Sequence, residues 1–309
     1  MAIFHMQISS VSRAAGRSAT AAAAYRAGER VRDERRGSVH NYSARRDVLH
    51  AEIFLPAQLA TQQPEWARSR ERLWNTAEHS EKRYNARVAR EYQVTLPAEL
   101  SAAQRIALAR AFARDISDRY RVAVDLAVHA PRSGGDPRNY HAHVLTTTRE
   151  VTPAGLGAKA GLDLTGSERR RRGLADHRTE FIALRARWAE LANEALHAAG
   201  RAERIDHRSL AAQGIDREPL PVIPIMDLHR ERRGLRSDYA EHLRMQYRER
   251  VRQRAAARDS AVTAAAPAQD LHAVRRAARE AWLRMRATPE VKPREAAETD
   301  RSADEDHTR

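Results

Sequence analysis

The chain has 309 residues, enough for one large domain with an extension or for two small domains. Lys and Arg number 55 against 41 Asp and Glu, and the formal charge of +14 points to a polyanionic partner, with nucleic acid the commonest. The absence of cysteine excludes both a disulfide framework and a thiolate metal site, so any metal must be held by His, Asp or Glu.

No apolar run approaches the ~20 residues that span a bilayer, so no membrane segment is expected. Residues 1–6 have neither a charged n-region nor a long apolar stretch, which argues against a signal peptide and for a reducing cytoplasm. Residues 3–8 alternate as a short strand. Residues 18–35 read as a helix, opened by Ser18 or Thr20 as cap and filled with alanine. A strand over 48–55 ends at Pro56, and a helix over about 64–85 carries Trp66, Leu73 and Trp74 at core spacing. Residues 90–96 read as a strand, 101–120 as an amphipathic helix and 122–128 as a Val-rich strand. Residues 152–173, rich in Gly, Thr and Arg, read as a loop. Residues 176–199 form a strong helix with Phe181, Leu184, Trp188, Leu191 and Leu196 on its buried side. Strands and helices mix without strict alternation, which favours an α+β fold with a mainly antiparallel sheet flanked by helices.

Beyond Pro219, Pro221 and Pro224 the chain turns to Ala, Arg and Glu with few apolar anchors. The expected organisation is a domain over 1–225 and a basic helical extension over 226–309, with one or two long solvated helices and a disordered end over 288–309. Residues 255–309 read as a solvated tail, or else as an arm that docks partners or DNA.

Chemistry concentrates in Asn139-Tyr140-His141-Ala142-His143-Val144. On a strand, His141 and His143 point to one face. The Gly134-Gly135 and Asp136-Pro137 pairs mark a turn, and a hairpin would bring His129 beside both. Three imidazoles on a sheet make a metal site with a position open to water or substrate; a solvated histidine cluster is the plainer alternative. No other histidine has a partner at ligand spacing. The helix after the first strand carries Tyr25 among Ala21, Ala22, Ala23, Ala24 and Ala27, small residues that would let a long substrate approach its hydroxyl. A packed tyrosine is the rival reading. Combined with three histidines and a basic surface, a phenol nucleophile beside a metal is equipment for cutting a phosphodiester covalently.

The run Ser18-Ala19-Thr20-Ala21-Ala22-Ala23-Ala24-Tyr25-Arg26-Ala27-Gly28-Glu29 resembles the N-terminal signature of the MobA/MobL conjugative relaxases. The resemblance continues through Leu73-Trp74-Asn75, Glu81-Lys82-Arg83, Ala89-Arg90-Glu91 and Leu96-Pro97. It extends over residues 135–149 and ends in Ile205-Asp206-His207-Arg208-Ser209-Leu210 and Gln213-Gly214-Ile215-Asp216-Arg217. After Pro221 the pattern departs, with Val222-Ile223-Pro224-Ile225-Met226 in place of a His-Leu-Gly-like run.

The resemblance implies an HUH endonuclease fold and site-specific nicking of one DNA strand at an origin of transfer. Tyr25 would form the 5′-phosphotyrosine, and His129, His141 and His143 would hold a divalent metal, Mn²⁺ or Mg²⁺ first and Zn²⁺ as a third candidate. Glu91 would orient one ligand histidine, with Glu78 and Glu81 as alternatives. A free phenol ionises near ~10, so the nucleophile would need help from the metal or from Arg26 or Arg17. Tyr42 lies in a polar loop and reads as structural. The implied partners are single-stranded origin DNA, accessory relaxosome proteins and a type IV secretion coupling protein. The rival readings are a rolling-circle replication initiator of the same class, a His-ligated zinc hydrolase, and a DNA-binding accessory protein with a dead site, against which the presence of Tyr25 and all three histidines argues.

Overall fold

The computed structural model describes residues 2–62, 64–265 and 271–286. The chain divides into two compact units, Met1–Ile215 and Asp216–Arg309.

In the first unit the strands are β1 (Met6–Ser12), β2 (Arg30–Asp33), β3 (Ser38–Asn41), β4 (Val48–Phe54), β5 (Arg87–Thr95), β6 (Val124–His129), β7 (His141–Thr147), β8 (Arg149–Thr152) and β9 (Gly155–Lys159). The helices are α1 (Ala19–Ala27), α2 (Glu65–Arg68), α3 (Arg70–Ser80), α4 (Ala102–Tyr120), α5 (Gly166–Arg171) and α6 (His177–Ala198). Five strands form one sheet in the order β1-β5-β7-β6-β4, every neighbouring pair antiparallel. The expected α+β fold with an antiparallel central sheet flanked by helices is what the chain adopts.

Alternation along the central strands sends side chains to two faces, and both are covered. Tyr92, Val94, Leu126, Val128, Ala142 and Val144 meet Leu108, Phe112 and Ile116 of α4 and Leu184 and Trp188 of α6. The Phe112 and Trp188 rings lie 5.0 Å apart where α4 packs on α6. On the other face Val11, Ala89, Ala123 and Leu145 pack with Ala19 and Ala23 of α1 and Leu73, Trp74 and Ala77 of α3. The small alanines let α1 sit close to the sheet. Asp125, buried on that face, accepts from Trp74 Nε1 at 2.9 Å and from Arg70 at 2.8 and 2.9 Å, which fixes α3 to β6.

Several boundaries differ from the sequence reading. The helix expected over 18–35 stops at Ala27, because Gly28 adopts φ +67° and caps it; residues 30–41 form the β2–β3 hairpin instead. The helix expected over 64–85 breaks at Ser69, whose extended backbone ends α2 and whose hydroxyl caps α3, and α3 itself ends at Ser80. The first strand is shifted to Met6–Ser12, and the third runs over Arg87–Thr95. Within 152–173 the chain is ordered as part of the β8–β9 hairpin, a 3-10 turn and α5.

The start of α1 is held unusually firmly. Ser18 Oγ accepts from the Ala21 amide, while Ser18 and Thr20 each donate to Asp33 Oδ2 at 2.6 Å. Glu78 of α3 accepts from the Ala19 amide at 2.7 Å and pairs with Arg13 at 3.0 Å and Arg35 at 3.3 Å. Burial alone would raise the Asp33 carboxyl, but the donors Ser18, Thr20, the Arg36 amide and His40 outweigh it and hold it at about 2, against an ordinary 3.8. A depressed carboxylate contributes stability above its unfolded value and loses it as pH falls through the folded one. Asp33→Asn should therefore lower stability at neutral pH by roughly 1–3 kcal/mol. It should also flatten the loss of melting temperature between about pH 4 and pH 2; an unchanged acid limb would contradict the assignment.

The second unit contains α7 (Ile225–Arg232), α8 (Asp238–Ala265) and α9 (Leu271–Arg286). Ser237 joins α7 to α8 by donating to Asp227 at 2.7 Å and accepting from the Ala240 amide, and Arg244 pairs with Glu231 at 2.6 Å. Arg250 and Arg254 of α8 pair with Glu218. Residues 288–309, expected to be disordered, lie outside the described residues.

Candidate metal and nucleophile site

The β6–β7 register sets His129 directly opposite His141, and His143 opposite Ala127, so the three imidazoles share one face at one end of the sheet. Their ring centroids lie 4.7, 5.1 and 5.3 Å apart, and each offers a ligand atom within 4.8 Å of the others. His129 and His141 are buried and His143 is half-buried.

Each ring donates through one nitrogen to a carbonyl or carboxylate oxygen; of the remaining nitrogens, His129 Nδ1 meets Arg45 Nη2 at 3.5 Å. His129 Nε2 donates to the Arg26 carbonyl at 2.7 Å, leaving Nδ1. His141 Nδ1 donates to the Asn139 carbonyl at 3.0 Å, and His143 Nδ1 donates to Glu91 Oε1 at 2.6 Å, leaving Nε2 on both. These bonds select tautomers whose lone pairs are available to a cation. Burial lowers the His129 pKa to about 4, with the His143, Arg45 and His141 charges acting the same way against the Arg26 carbonyl. Burial likewise lowers His141. Three convergent imidazoles, with His129 and His141 biased by burial toward the neutral form, fit a metal ion.

Glu91 lies on β5, diagonal to His143 across the β5–β7 pair, and is 7% exposed. Besides His143 it binds Arg26 through both oxygens at 2.5 Å and Ser9 Oγ at 3.2 Å. Burial would raise its pKa, but the hydrogen bonds from His143 and Arg26 prevail and keep it well below the usual carboxylate range. The alternatives are engaged elsewhere: Glu78 at the start of α1, and Glu81 with Arg149 at 2.8 Å and Lys159 at 2.6 Å. Of the three carboxylates, Glu91 touches a site histidine.

Tyr25 sits half-buried in the last turns of α1. Its hydroxyl accepts from Arg132 Nη2 at 3.2 Å. Arg45 lies over its ring, 4.1 Å from the centroid, and donates to its carbonyl at 2.6 Å. Arg45 also pairs with Asp47 at 2.5 Å and reaches within 3.5 Å of His129 Nδ1. The peptide carbonyls of Tyr25 and Arg26 are therefore both tied to the histidine cluster, one through Arg45 and one directly.

Sequence reasoning missed this frame. Arg26, expected to help the phenol ionise, is spent on Glu91 and the Ala22 carbonyl; Arg132 and Arg45 are the arginines at Tyr25. Tyr42, expected in a separate loop, follows the β2–β3 hairpin back and meets Tyr25 edge-on, with centroids 5.2 Å apart. The signal that could have found this was Gly28: a helix ended there must turn back, carrying residues 42–47 to Tyr25.

The MobA/MobL family model matches residues 17–224. Mobilization protein MobL of Acidithiobacillus ferridurans is 43% identical over 243 residues, covering 71% of this chain and 61% of that protein. A probable conjugal transfer protein TraA of Sinorhizobium fredii is 34% identical over 274 residues, 81% of this chain and 24% of that protein. This chain thus spans less than two thirds of the length of either relative. A solved structure described as the molecular basis of vancomycin resistance transfer in Staphylococcus aureus superposes with a TM-score of 0.54 at 29% identity. It covers 67% of this chain and 100% of that one. With the family model matched from Arg17, across Tyr25, Glu91 and all three histidines, to Pro224, the chain belongs to the MobA/MobL family.

Proposed function

We propose that the chain is a relaxase, which nicks one DNA strand at an origin of transfer through Tyr25 and later rejoins it. The observation that carries this reading is the frame that ties the Tyr25 turn of α1 to the histidines: the Tyr25 carbonyl to Arg45 to His129, and the Arg26 carbonyl to His129. A nucleophile held against a metal-ligating cluster is preorganised for in-line attack at phosphorus. Relatives named for mobilization and conjugal transfer support DNA transfer as the setting, and single-stranded DNA at an origin of transfer is the substrate class this reading assigns.

In this mechanism His129, His141 and His143 would hold a divalent ion, which when bound would supply positive charge against the phosphate oxygens. Three nitrogen donors suit Mn²⁺ or Zn²⁺, and a phosphate substrate suits Mg²⁺. Glu91 keeps His143 in its ligating tautomer. Tyr25 Oη bonds to phosphorus as the bond to the 3′-oxygen breaks. Exchange of one phosphodiester for another retains the bond energy, so the reversal that reseals the strand needs no nucleotide cofactor.

Action at an origin would engage accessory relaxosome proteins and a type IV secretion coupling protein in the cytoplasm, with residues 226–309 as the basic extension beyond the nuclease. No helix among the described residues is long and apolar enough to cross a membrane.

The test is nicking of supercoiled plasmids that carry candidate origins. The expected result is metal-dependent conversion to open circles with protein on one 5′ end. Supercoiled DNA left intact with every origin and every metal would contradict the proposal.

A further inference from the structure

Two arginines reach Tyr25, and they are not equivalent. Arg45 is committed to the protein: Asp47 takes two of its donors, the Tyr25 carbonyl a third, another reaches His129 Nδ1 at 3.5 Å, and its guanidinium lies over the phenol ring. Arg132 donates to Tyr25 Oη, is exposed, and pairs with no carboxylate among the described residues.

The loop keeps it that way. Arg132 opens a tight turn in which the Gly135 amide donates to its carbonyl at 3.0 Å, with Gly134 at φ +74°. The acid nearest in the loop, Asp136, is consumed by Arg138 through two side-chain bonds of 3.0 and 2.8 Å and one amide bond. The chain returns to the sheet at Tyr140, stacked on the buried Arg105 guanidinium 3.6 Å from its centroid. Arg132 is three residues beyond His129, the last residue of β6, and its guanidinium reaches Tyr25 Oη.

We propose that Arg132 is a further catalytic residue, holding a non-bridging oxygen of the scissile phosphate while it holds Tyr25 Oη. This rests on the relaxase reading above. A guanidinium presents five donors in a plane, so one arm can stay on the phenol while the others face phosphate. That geometry sets Oη and phosphorus in register and offsets the charge that grows on the phosphate oxygens. The Oη–P bond forms as P–O3′ breaks, the phenolic proton passes to water, and the 3′-oxygen takes a proton from water. Arg45, which would not touch the phosphate, is the positioning residue.

The test uses the full chain and a single-stranded oligonucleotide on which the native protein forms an adduct at a mapped phosphate. Arg132→Gln should slow adduct formation at saturating DNA about 100-fold. Its affinity for the metal alone should be unchanged, and Arg132→Lys should recover part of the rate. The decisive comparison is binding, measured in Tyr25→Phe proteins to prevent reaction. Replacing the scissile phosphate by a neutral methylphosphonate should weaken binding when Arg132 is present and have little effect in the Tyr25→Phe, Arg132→Gln double variant. An equal penalty in both proteins would overturn the assignment, because a merely structural arginine does not couple to the phosphate charge. Failure of the native chain to form any adduct would instead defeat the relaxase reading itself, and this inference with it.

Discussion

Tyr25→Phe is expected to abolish the covalent adduct while leaving DNA affinity within a few-fold of the native protein. The substitution removes one oxygen and its 3.2 Å bond to Arg132, but the Arg45 contacts to the Tyr25 carbonyl and ring survive, as does the edge contact with Tyr42. The fold should be untouched, since α1 is anchored at its other end by Asp33 and Glu78. A residual adduct at the native rate would shift the role to Tyr42, whose ring lies 5.2 Å from that of Tyr25. Gel analysis of adducts formed by Tyr25→Phe and by Tyr42→Phe separates the two cases.

Loss of a histidine should be nearly as severe. His141→Ala or His143→Ala removes one of three convergent nitrogens, and metal affinity and cleavage should fall together. Glu91→Gln should cost less, about 10–100-fold in metal affinity, because it removes the charge of a ligand's partner and leaves the ligand. A chelator should inhibit the native protein and added divalent metal should restore it. Titration calorimetry and nicking rates across the three variants check the ordering. Full activity in EDTA would contradict a metal held by these histidines.

The sequence made the histidine cluster legible because its evidence was local. A His-x-His pair on a strand and a Gly-Gly, Asp-Pro turn determine which side chains meet once the hairpin closes. Tyr25 was legible by its resemblance to a family signature. Glu91 was one of three carboxylates in the sequence; geometry separates them, because a diagonal neighbour across β5 and β7 depends on register. Arg45, Asp47 and Arg132 were invisible. They reach the site on the β3–β4 connection and the β6–β7 loop, and arginine is too common in this chain to single out by type. The error over residues 28–35 had one cause: helical propensity was carried through Gly28, where a left-handed backbone ends the helix. The β8–β9 hairpin was missed because its Gly155 and Gly157 made the segment look like loop.

The most direct measurement is the identity of the residue joined to DNA. Trypsin cuts after Arg17 and Arg26, so residues 18–26 form a peptide with Tyr25 as its one tyrosine, while Tyr42 falls in residues 37–45. Nuclease trimming of the adduct, digestion and tandem mass spectrometry should place a nucleotide on Tyr25 through its phosphate, in samples prepared with metal and not in those prepared with chelator. A nucleotide on Tyr42, on a serine or threonine, or on Tyr25 irrespective of metal would contradict the account.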